Sequence, residues 1–146
     1  MSLNNRLKEV RQLFLDTAPV IYFIENNPTF TPALQPLFEN LDNGSITAVV
    51  SPITLAECLV LPYKLGKPDI AKIFTDLLVS HAHVLFSPLD DTTADLAAEM
   101  RARYNLALAD AFQIAVAIQT QCDAFLTNDM ELKRVTEIPI LVISEG

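Results

Sequence analysis

The chain has 146 residues, of which 51% are hydrophobic, and carries 10 basic against 18 acidic side chains for a formal net charge of −8. That length and apolar content suit a single domain spanning 1–146, with enough hydrophobic material to cover both faces of a small sheet. The acidic balance excludes a protein that coats nucleic acid with positive charge, so any contact with it must be local or carried by bound cations.

Reading along the chain, "MSLNNRLKEVRQLFLD" places charges where a signal peptide needs its apolar segment, and "MSL" and the final "EG" carry no weight. The apolar run ending at Asp16 is a strand, and "TAPVIYFIE" is a helix with Pro19 in its first turn. "TFTPALQPLFENLDNG" predicts a second helix closed by Asn43-Gly44. "SITAVV" is a buried strand, and Ser51 caps a helix that Pro62 should limit. "KPDIAKIFTDLLVS" places Ile70, Ile73, Phe74, Leu77 and Leu78 on one stripe, and "HVLF" follows as a strand. Asp90 and Asp91 cap the next helix, a further helix runs from about Leu108 to Gln121, and "AFLT", a short polar helix from Met130 and "IPILVI" complete the pattern.

Strands alternating with helices indicate an α/β fold, a three-layer α/β/α arrangement around a parallel sheet of about five strands. The longest uncharged stretch, Asn43 to Ala56, has 14 residues, whereas a membrane helix needs about 17–25. Cys58 and Cys122 stand far apart without a C-x-x-C spacing, which gives neither a disulfide framework nor a zinc site and suits buried thiols in a reducing, cytoplasmic setting.

In a parallel sheet the functional crevice lies outside the carboxyl ends of the strands. Asp16 ends the first strand and Asp129 follows the fourth, so both fall on that edge. Asp110 opens the helix before the fourth strand. Glu57 lies two turns into the helix after the second, on a face shared with Thr54. Asp123 precedes the strand that Asp129 follows, which puts it about 15 Å away at the opposite edge, outside any common site.

The stretches "LDTAPVIYFIE", "SPITLAEC", "RYNLALADAFQIAVAIQ" and "FLTND", in that order from about Leu13 to Val142, resemble the PIN domain family of metal-dependent nucleases, which includes VapC-type toxins. Carried over by position, the resemblance places the family's four acids on Asp16, Glu57, Asp110 and Asp129. It also places Thr17 beside the first, Thr54 one turn before the second, and Thr127 and Asn128 before the fourth. It implies an endoribonuclease of the PIN type that leaves a 5′-phosphate and a 3′-hydroxyl, a homodimer, and, for a toxin, a small antitoxin protein covering the acidic cleft.

Crowded carboxylates repel one another unless some are protonated or a cation binds, and oxygen-only donors favour Mg²⁺ or Mn²⁺. Asp16 and Asp110 would then be the principal metal ligands, with Glu57 and Asp129 as ligands or water orienters. Thr17, Thr54, Thr127 and Asn128 would hydrogen-bond behind them. Arg101 and Arg103 are the candidates for the RNA backbone, although Arg103 also stands four residues after Glu99, the spacing of a surface pair.

Structural roles compete for the same residues. Asp16 can cap the helix that Pro19 starts, and Asp110 with Gln113, or Asn128 with Glu131, has capping-box spacing. His81-Ala-His83 has no third ligand in the pattern and suits a helix C-terminus. Other enzyme classes fit less well: a haloacid dehalogenase-type phosphatase needs a second acid where Ala18 stands, and a receiver domain needs an Asp after the third strand, where Ser87-Pro88 stands. A catalytically silent PIN-like binding module and a solitary PIN nuclease without an antitoxin stay open.

Overall fold

A computed structural model describes residues 2–145. Five parallel strands, β1 (Gln12–Leu15), β2 (Thr47–Val50), β3 (Val84–Phe86), β4 (Ala124–Thr127) and β5 (Ile140–Val142), lie in the order β3-β2-β1-β4-β5. Leu13 pairs with Ala48 on one side and Ala124 on the other, which puts β1 at the centre of the sheet.

Strand alternation sorts the core into two layers. Leu13, Leu15, Ala48, Val50 and Leu126 face one side, where they pack with Val20, Leu34, Cys58 and Phe74. Phe14, Val49 and Phe125 face the other, among Ala97, Met100, Ala111 and Ile114. Phe14 stacks on Phe125 at 4.9 Å across the β1–β4 pair. The first side is covered by α2 (Thr17–Ile24), α3 (Thr31–Asp42), α4 (Pro52–Lys64) and α5 (Pro68–Thr75). On the second lie α6 (Asp91–Tyr104) and α7 (Leu108–Gln119). This is the expected three-layer α/β/α fold.

Several local expectations are corrected. Residues Leu3–Arg6 form α1, a short helix ahead of β1 that Ser2 caps and that puts Leu3 in the core, so Ser2 and Leu3 are not idle sequence, while Met1 and Gly146 lie outside the described residues. Pro62 does not end its helix but sits inside α4, because that late in the helix it costs a single i→i−4 bond and the chain turns soon afterwards at Gly66, with φ +65°. The apolar stripe of α5 passes into a π-turn over Asp76–Ser80, and of the stripe Phe74 and Leu78 are buried while Ile73 is exposed. The seventh helix stops at Gln119, and Gln121 takes a left-handed φ of 58°.

Other expectations hold. Gly44, at φ +82°, turns the chain out of α3 beyond Asn43. Asp90 caps α6 by accepting from the Thr93 amide at 2.9 Å. The histidine pair is structural as expected, but at the end of α3 and not of the helix before it: His83 Nδ1 meets the Leu41 carbonyl and His81 pairs with Asp42, so both tie the segment ahead of β3 to α3. Cys58 is buried and Cys122 half-buried, both free thiols. Among the described residues no helix is long and apolar enough to cross a membrane.

Candidate active site

From β1 the chain moves outward through β2 and β3 on one side and through β4 and β5 on the other. The crevice between the carboxyl ends of β1 and β4 is therefore the switch point of the sheet. Asp16, directly after β1, donates its amide to the Leu126 carbonyl of β4 at 3.0 Å. Its side chain does cap α2, accepting from the Thr17 amide at 2.9 Å, but the second oxygen is turned to β4, where the Thr127 hydroxyl donates to it at 2.8 Å. Capping and a site role coexist in one carboxylate.

A hydrogen-bonded chain extends from Asp16 in both directions. Thr17 donates its hydroxyl to Glu57 Oε1 at 2.6 Å, joining α2 to α4. On the other side the Thr127 hydroxyl accepts the Asp129 amide at 3.1 Å. Asp129 itself caps the 3₁₀ turn Met130–Arg134 by accepting from the Glu131 amide at 2.9 Å, so the cap is Asp129 and not Asn128. The Asn128 amide instead braces the loop from behind, donating to the Tyr22 hydroxyl at 3.2 Å and accepting from the Ser144 amide at 3.1 Å.

Asp110 enters from the opposite layer, on the third residue of α7. It does not cap that helix, whose N-cap is Ala107 without a side-chain bond. Burial, then the charges of Asp16, Asp129, Glu57 and Glu131, raise its pKa to about 6. Burial is also the main cause raising the Asp16 carboxyl above the ordinary carboxylate range, with Glu57 and Asp129 adding to it and the bonds from Thr17 and Thr127 opposing. Asp16 and Asp110 thus feel the acids around them, and among the described residues none of the four takes part in an ion pair. Glu131, a fifth acid in this field, was hidden in sequence as part of an apparent capping box.

Among the described residues, no three His, Cys, Asp or Glu side chains stand close enough together to hold an ion as placed. The donor chemistry nonetheless fits a hard divalent cation: all-oxygen, partly buried and without a compensating positive group. Glu57 and Asp129 are exposed and can adjust, whereas Asp16 is held at both oxygens.

Thr54 is completely buried and belongs to a polar ring with Ser51 and Gln113. Gln113 is visible in the sequence as a lone amide in the apolar run "DAFQIAVAI", and it bonds Ser51 and Thr54 in place of closing a capping box with Asp110. Arg101 and Arg103 have protein partners: Arg101 donates to the Leu106 carbonyl at 2.5 Å, and Arg103 pairs with Glu137 and Glu99. Asp123 lies at the amino edge of the sheet, where one carboxylate oxygen accepts from the Arg11 and Gln12 amides, each at 2.9 Å.

Residues 13–138 match the PIN domain family. No curated protein sequence matches the chain. Among solved structures, the fold is similar to a chain of the DNA-bound VapBC complex of Salmonella typhimurium, at 20% identity and TM-score 0.71 over 91% of this chain and 98% of that one. Similarity extends to VapBC2 of Rickettsia felis bound to a promoter DNA fragment, at 18% identity and TM-score 0.68, covering 90% of this chain and 98% of the other. A third similar structure is VapC20 of Mycobacterium tuberculosis, a toxin that cleaves the sarcin-ricin loop, at 15% identity and TM-score 0.67 over 87% and 98% of the two chains.

Proposed function

The chain belongs to the PIN domain family, and on that premise we propose that it is a Mg²⁺- or Mn²⁺-dependent endoribonuclease, the toxin of a toxin–antitoxin pair. The observation that carries this reading is the hydrogen-bonded chain that links Glu57, Thr17, Asp16, Thr127 and Asp129 across the carboxyl ends of β1 and β4, with the pKa values of Asp16 and Asp110 both raised by burial and by the acids around them. Asp16 and Asp110 would be the principal ligands of the cation, and Glu57 and Asp129 would complete its sphere or orient water.

A divalent cation at such a site acidifies a water and neutralises charge on the phosphate oxygens. The chain's own part is positional. Thr127 holds Asp16 and the Asp129 loop on one hydroxyl, Thr17 fixes Glu57, and Asn128 anchors the loop to Tyr22 and the C-terminal segment. Because Asp16 accepts a bond at each oxygen, it cannot swing away when the crevice is empty. Arg103 is engaged with two carboxylates, so Arg101 is the better of the two for a phosphate contact.

An antitoxin partner would need an apolar surface to dock on. Leu61 and Pro62 of α4, with Leu65 just beyond it and Ile24, Ile70 and Ile73, line an open groove of about 380 Å³ that also carries Glu25 and Lys67 and would accept an amphipathic helix. A cytoplasmic homodimer follows the family pattern. A silent binding module is the weaker reading, because all four acid positions are filled.

Cleavage of RNA by the purified protein with Mn²⁺ or Mg²⁺, set against Asp16→Asn and Asp110→Asn, tests the proposal. Either substitution should lower the rate by about a hundredfold or more, and EDTA should abolish it. Equal rates in all three proteins, or cleavage that survives EDTA, would overturn it.

A further inference from the structure

Two of the four acids come from helices on opposite faces of the sheet: Glu57 from α4 and Asp110 from α7. A common cation requires a fixed distance between helices that belong to different packing layers and touch only sparingly. Their direct polar link is the ring around Gln113. Its side-chain carbonyl accepts from the Ser51 hydroxyl at 2.5 Å, and its amide nitrogen donates to the Thr54 hydroxyl at 2.8 Å. Ser51 also accepts from the Ile53 amide, and Thr54 from the Ser51 amide, so the ring is built into the capping box of α4. Ser51 and Thr54 are fully buried and Gln113 is 1% exposed.

Residues three apart on a helix share a face. Asp110 stands three before Gln113, and Glu57 three after Thr54. The first turn of α7 has no side-chain cap to hold it, which leaves Gln113 as the nearest specific anchor below Asp110. An apolar side chain of the same volume would fill the space without desolvating an amide, so packing alone does not call for glutamine here.

We propose that Gln113 is a positioning residue of the acidic site, locking α7 to the capping box of α4 so that Asp110 and Glu57 meet one divalent cation. This rests on the metal-dependent reading above. The test is Mn²⁺ titration by calorimetry, with thermal unfolding followed in parallel, on wild type, Gln113→Leu, Gln113→Met and Thr54→Val.

The expected result is Mn²⁺ affinity about tenfold weaker in each variant that unfolds cooperatively, in line with other residues that orient metal ligands from behind. Asp123→Asn should bind as wild type does. Wild-type affinity in Gln113→Leu or Gln113→Met with only a lower Tm would overturn the positioning role, because a purely structural residue shifts Tm alone. Should neither folded Gln113 variant be obtained, Thr54→Val decides in the same way. Failure of the wild type itself to bind Mn²⁺ is a different outcome and overturns the metal reading on which the proposal stands.

Discussion

At the scale of single residues, Asp110 carries a pH dependence with a definite sign. Its folded pKa of about 6 lies above the unfolded value of 3.8 because burial and four neighbouring carboxylates favour the neutral form. The folded state therefore binds the proton more tightly. Stability is highest below the unfolded pKa and falls as pH rises through 4 to 6, after which the loss is complete. Allowing for solvent screening of this partly exposed group, the loss amounts to about 1–2 kcal/mol. Urea unfolding in EDTA between pH 4 and pH 8 should show this decline in the wild type, and Asp110→Asn should flatten it. A decline of equal size in the variant would assign it to another group. Asp123 gives the opposite case: accepting two backbone amides lowers its pKa and makes it structural. Asp123→Asn should cost about 1 kcal/mol in stability while leaving RNA cleavage below the unfolding transition unchanged.

At the scale of elements, what could be read in advance was whatever depends on local pattern. The alternation in "QLFL", "TAVV" and "AFLT" is a property of each segment and fixes which side chains face which layer. The end of α3 was legible for the same reason. Gly44→Ala puts a Cβ 3.0 Å from the His83 ring at a φ of +82°, and should cost about 1 kcal/mol or more, visible as a lower Tm. Pro62 was misread because a proline's effect depends on how much helix follows, and almost none does. Gln113 was legible as an oddity but not as a contact, since its partners lie 62 and 59 residues earlier on another helix. Arg103 follows the same logic. Its spacing from Glu99 was local, whereas its stronger partner Glu137 comes from the far side of α7 and β4 in the chain. Arg103→Ala should accordingly lower Tm and leave cleavage intact; a selective loss of RNA affinity would return it to the site.

At the scale of the whole molecule, the charge of −8 and the proposed RNA substrate would be of one sign. The acids at the switch point concentrate part of that charge where the proposed phosphodiester would lie, so a polyanion and the crevice without a cation would repel each other. On the proposed reading a divalent cation would relieve both conflicts, which would make it a stabiliser of the fold as well as a cofactor of the reaction. Ligand linkage gives about 2.7 kcal/mol at a cation concentration one hundred times Kd, or about 5–10 °C in Tm for a domain of this size. The gain must vanish in acid, because protons on Asp110 and Asp16 compete with the cation, and it should reach its plateau above about pH 7. Thermal unfolding at pH 5 and pH 7.5, with and without Mn²⁺, measures this directly. Asp16→Asn and Asp110→Asn should each abolish the shift at pH 7.5 while remaining folded, since both remove charge from a crowded edge. A Tm at pH 7.5 that Mn²⁺ does not move would mean that the four acids do not act together on a cation, and the nuclease reading would fall with them.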